Sequence, residues 1–120
     1  MKQVKLSELG DQGVSHNAAI RKKVMVQPGE IPHLTTFSQA TFAPGQVATA
    51  HAHSDMYEVF LVSAGTGAMV VNGQEQPLSP GVCIWVEPGD VHEVTNTGAH
   101  PLVLTYFGVV ERSIDVPLPP

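Results

Sequence analysis

The chain has 120 residues, enough for one domain around one modest core and too few for two independent ones. Hydrophobic residues at 42% and charged residues at 14% place it well outside the disordered range. A net charge of −5 with six Lys and Arg argues against nucleic acid or an anionic membrane surface as the main partner.

Eleven Gly and ten Pro interrupt short runs rich in Val, Thr and Phe, which favours an all-β domain. The single cysteine, Cys83, has no internal disulfide partner, and the opening MKQVKLSELG lacks the apolar stretch of a signal peptide. The expectation is a cytoplasmic protein. Residues 3 to 14 show no clear period and fit either an edge strand or a short helical turn. Ile20 to Val26 reads as a strand whose basic run, Arg21, Lys22 and Lys23, suits a solvated sheet edge. The segment QPGEIP at 27 to 32 is a turn, because Pro28 fixes its own φ and Gly29 tolerates positive φ.

His33 to Phe42 is read as a strand with His33, Thr35, Phe37, Gln39 and Thr41 on one face, the inward direction of that face being open. His33 and Gln39 count as pocket candidates if it turns in. Val47 to His53 and Tyr57 to Ser63 are two strands joined across Ser54 and Asp55. Met69 to Val71 and Gln74 to Leu78 flank Asn72-Gly73, the pair that a type I′ hairpin turn requires. Val82 to Val86, His92 to Asn96 and Leu102 to Val110 follow. The last is interrupted by Thr105 and Gly108 and falls well short of the roughly 20 residues that span a bilayer. Residues 116 to 120 form a Pro-rich tail, since Pro cannot continue a ladder. Short strands at this regular spacing predict an antiparallel barrel or sandwich.

His51 and His53 are two apart, so on a strand both imidazoles share a face. Glu58, five residues on, would face away on an unbroken strand, but a turn at Ser54-Asp55 resets the parity. His92 follows PGDV at a new strand start and closes the set. Three imidazoles and a carboxylate suit one divalent transition ion, Fe, Mn, Ni, Co or Zn, rather than Mg or Ca.

The stretch 45 to 65, with Gly45, His51, His53, Glu58 and Gly65, resembles the first motif of the cupin superfamily, and 81 to 96, with Gly81, Gly89, His92 and Asn96, resembles the second. Glu87 stands where the second motif usually has Pro, a charge near the mouth that is expected to affect substrate choice. The resemblance is to small single-domain cupins. It implies a cupin-type antiparallel β-barrel (double-stranded β-helix, or jelly roll) over residues 1 to 120, a metal on His51, His53, Glu58 and His92, and a homodimer.

Met56 and Phe60 share the parity of Glu58 and are expected to line the pocket. His16, His33 and His100 are read as non-ligands, and Cys83, Phe37 and Trp85 as core. An ion with open positions suits a metal-dependent enzyme on a small oxygenated metabolite, a dioxygenase or an isomerase or lyase, with Glu58 doubling as a proton acceptor. The alternative is a non-catalytic module that binds or senses a small ligand around a structural metal.

Overall fold

A computed structural model describes residues 1–112; the tail at 116 to 120 lies outside the described residues. After a 3₁₀ turn at Leu6–Glu8 come β1 (Gln12–Val14), β2 (Asn17–Val26), β3 (Leu34–Phe42), β4 (Val47–His51) and β5 (Met56–Ala64). Then follow β6 (Gly67–Val71), β7 (Gln74–Leu78), β8 (Cys83–Val86), β9 (His92–Thr95) and β10 (Leu102–Val110). The undecided first segment thus holds both a helical turn and a strand. No helix among the described residues is long and apolar enough to cross a membrane.

Six strands form one sheet in the order β1-β2-β3-β10-β5-β8, and four form another in the order β4-β9-β6-β7. Every pairing is antiparallel. Period-2 alternation decides what each strand buries: β10 turns Leu102, Leu104 and Val110 inward, and β5 turns in Glu58, Phe60 and Val62. These meet Ile20, Phe42, Met69, Leu78, Val86 and Val94 in one core between the sheets. Each fully buried aliphatic side chain there, such as Leu102 or Ile20, stabilises the fold by about 2 kcal/mol. The β6–β7 hairpin turns on Asn72 (φ 50°) and Gly73 (φ 80°), the left-handed pair of a type I′ turn.

Four expectations need correction. β2 is not a sheet edge, because β1 pairs along its outer side. Its cations are accordingly dispersed: Arg21 reaches Asp11 at 2.9 Å and Lys23 donates to the Leu6 carbonyl. β4 stops at His51, two residues short, with a register irregularity just before it. Cys83 and Trp85 are exposed, Trp85 at 62%, because the inward positions of edge strand β8 go to Ile84 and Val86. Phe37 is half-buried on the outer sheet face, its ring centroid 6.3 Å from that of Phe107.

Asn96, just past β9, is buried and serves the fold. Its Nδ2 donates to the carbonyls of Phe42 (2.9 Å) and His100 (2.8 Å), and its Oδ1 accepts from the Gly98 N–H. One amide therefore ties the 96–100 loop to the end of β3.

Candidate metal centre

His51, the last residue of β4, pairs in register with His92, the first of β9, so the ladder sets two imidazoles side by side with centroids 4.2 Å apart. His53 lies beyond the strand, and its carbonyl accepts the Gly89 N–H at 2.8 Å, which anchors it to the 87–90 turn. A bend at Ser54 and Asp55 leads into β5, whose inward parity brings Glu58 to the histidines. His53 Nε2 lies 2.9 Å and His92 Nε2 3.4 Å from the same Glu58 Oε1. One ligand atom from each of His51, His53, Glu58 and His92 falls within 4.8 Å of the others, so the group is positioned to hold a metal ion.

The backbone orients the ligand nitrogens. His51 Nδ1 is 2.8 Å from the Thr49 carbonyl and His92 Nδ1 is 3.0 Å from the Asp90 carbonyl. A carbonyl only accepts, so each Nδ1 carries the proton and each Nε2 presents a lone pair. Glu58 Oε1 and His92 Nε2 are buried without a hydrogen-bond partner. Buried polar atoms are nearly always satisfied, and two facing lone pairs repel unless a cation sits between them. A divalent ion satisfies both, and the donor set is that of a transition metal.

Protonation follows the same contacts. Burial pushes the Glu58 carboxyl up, but His92 beside it and the charges of His53, His92 and His51 together hold it below its ordinary value. Burial pulls His92 down, but contact with Glu58 and the Asp90 carbonyl outweighs this and holds it above its ordinary value. Burial keeps His51 below its own, against the pull of the Thr49 carbonyl. A metal ligand must be unprotonated, so protons compete for His92 from above the ordinary histidine range and for His51 only below it. Metal content after equilibration in buffered metal is therefore expected to fall as pH drops through the histidine range. Retention that stays flat from pH 8 to 5 contradicts this ligand set.

The four residues lie on the wall of a cavity of about 220 Å³. Met56 and Phe60 line it, as their parity with Glu58 implies. Gln39 and His33 do not. Gln39 has the opposite parity from buried Ser38, Ala40 and Phe42 and donates to Thr105 Oγ1 at 3.2 Å outside the cavity. His33 is an exposed turn residue with φ 69°, placed before β3 begins. Glu87 is also away from the cavity. Its N–H donates to Asp90 Oδ2 at 2.8 Å, a bond that proline could not make there, and Asn72 Nδ2 holds the other Asp90 oxygen at 2.9 Å.

Several lining residues escaped the sequence reading. His16, on the β1–β2 turn, stacks on His51 with centroids 3.7 Å apart and 16° between planes. Only the fold could reveal this. Tyr106 also faces the cavity, its phenol pushed up to about 12 by burial and the nearby Glu58 charge, against a smaller opposing effect of Ser38. Tyr106 was legible in principle, since it alternates with Leu102, Leu104 and Gly108.

Two facing antiparallel sheets with a His-His-Glu-His group on the inner wall define a small β-barrel built around a candidate metal centre. The family model for the cupin domain matches residues 38–108, more than half of the chain, and the chain belongs to that family. It is 27% identical over 62 residues to the oxalate-binding protein of Thermotoga maritima, a match that covers 52% of this chain and 51% of that protein. The chain thus spans about half the length of that relative. Its fold is similar to a predicted oxalate decarboxylase from Thermotoga maritima (TM-score 0.81, 18% identity, 91% of this chain and 99% of the other). It is also similar to the polyketide cyclase RemF from Streptomyces resistomycificus (TM-score 0.79, 17% identity, 99% and 87%). At these identities the likeness is one of fold.

Proposed function

We propose that the protein is a metal-dependent enzyme acting on a small oxygenated metabolite, as a dioxygenase or as an isomerase or lyase, in the cytoplasm and as a homodimer. The observation that carries this reading is the buried, unpartnered pair Glu58 Oε1 and His92 Nε2 among four converging donors at the wall of a cavity. His51, His53, Glu58 and His92 would hold one Fe, Mn, Ni, Co or Zn ion. Bound there, the ion supplies Lewis acidity toward a substrate's oxygen atoms. Around it, Met56, Phe60 and Leu104 exclude water, while Tyr106, protonated at neutral pH, is a hydrogen-bond donor. Glu58 is the residue able to take a proton if it loosens from the ion. The outer face carrying exposed Tyr57, Leu61 and Trp85 supports a covering second copy.

A specific observation favours a second reading, a binding module. Among the described residues Glu58 is the only carboxylate lining the cavity, and His16, the one imidazole there outside the candidate ligand set, is stacked on His51. Incubating the metal-loaded protein with a pooled metabolite extract under air and under nitrogen separates the readings. Loss of a compound only in air marks an oxygenase, and loss in both an isomerase or lyase. A compound retained unchanged on the protein supports the module.

A further inference from the structure

The basic run Arg21-Lys22-Lys23 is split by the pleat of β2. Arg21 is held by Asp11 and Lys23 by the Leu6 carbonyl, both away from the metal cavity. Lys22 has the parity of Ile20 and Val24, which are 0% and 7% exposed, and so turns inward. It pairs across the ladder with Ala40, a core residue, and the half-buried residue borders both the metal cavity and the outer groove that holds Arg21 and Lys23.

A lysine whose stem runs along a cavity wall can offer its ammonium to an anion held there. Among the described residues no carboxylate lies within ion-pair distance of it. The one acidic residue on the wall, Glu58, is already engaged by His53 and His92. A divalent ion and Lys22 set against Glu58 leave the cavity two positive charges, inside a protein whose own net charge is −5. That contrast concentrates an anion in the cavity rather than on the surface. Thr35 and Thr36, at the irregular start of β3, also line this cavity, and a threonine hydroxyl is a donor that a carboxylate can use. The volume, about 220 Å³, suits a small acid.

We propose that Lys22 is a specificity-determining residue: the ligand is a small organic dianion whose chelating oxygens meet the metal while its second anionic group is held by Lys22. This rests on the metal-centre reading above and names the class of compound the centre accepts.

The test uses the full chain loaded with Co(II), whose visible absorption reports ligands entering its coordination sphere. The probes are 2-oxoglutarate and 2-oxopentanoate, which share the chelating 2-oxo acid end and differ in the distal carboxylate. The unaltered protein is expected to bind the diacid about tenfold more tightly than the monoacid. Lys22→Met keeps the stem and removes the charge, so that preference should vanish while monoacid affinity and Co(II) content stay the same. Lys23→Met removes the same net charge outside the cavity and should keep the preference. Equal diacid affinity in the unaltered protein and Lys22→Met, with Co(II) bound in both, overturns the Lys22 proposal alone. Equal weakening by Lys23→Met also overturns it, since the effect is then one of overall charge. Failure of the unaltered chain to take up Co(II) overturns the metal-centre reading and this inference with it.

Discussion

His92→Ala is expected to reduce bound transition metal to less than about a tenth of an equivalent, with no recovery on adding metal back. His92 is 1% exposed and presents Nε2 to the same Glu58 oxygen that His53 contacts, so its loss removes a ligand and opens the wall beside the ion. The strand should survive the change. His92 begins β9, and its backbone pairing with His51 and Val71 does not depend on the imidazole. Circular dichroism should therefore remain that of a β protein, and light scattering should report the same mass as for the unaltered chain. His100→Ala is the control, because His100 contributes its carbonyl to Asn96 and its exposed ring to nothing in the site. Full metal content in His92→Ala, or equal loss in His100→Ala, would place the metal elsewhere.

The second large effect is on stability. Asn96→Ala removes three hydrogen bonds at once and leaves the Phe42 and His100 carbonyls and the Gly98 N–H to find other partners. A buried group stripped of its partner costs about 1–3 kcal/mol, so a loss of about 3 kcal/mol is expected, seen as a Tm lower by roughly 10 °C. Metal per folded molecule should not change, since Asn96 touches none of the four candidate ligands. An unchanged Tm would mean that the loop holds without the clamp. Loss of metal at an unchanged Tm would instead give Asn96 a role in the site.

Asn96 also shows what a motif can and cannot convey. Its position in the second motif is legible, but its task, joining a loop to a strand 54 residues earlier in the chain, belongs to the packed molecule. The strands themselves were largely legible, because alternating burial and turn residues are local signals. Asn72-Gly73 marks its hairpin by backbone preference alone, and Met56, Glu58 and Phe60 share a face by parity alone. Parity gives no direction, however. On β3 the face carrying Gln39 turned outward and that of Ser38, Ala40 and Phe42 inward, a choice made by the partner strands. The same limit placed Cys83 and Trp85 wrongly, because both faces of β8 carry apolar residues and only its edge position decides which is covered.

The sequence by itself determined the β class and the spacing of the turns, which rest on short-range backbone geometry, and it named His51, His53, Glu58 and His92 as a candidate metal set through ligand chemistry and the resemblance to the cupin motifs. The tertiary structure decided which other side chains share their cavity. His16 arrives on a turn, Tyr106 from β10, and Lys22 by being the one inward member of a basic run that reads as surface. The physical reason is that a cavity is made by closing one sheet over another. Its lining is therefore drawn from strands whose inward faces are defined only once the sheets have met.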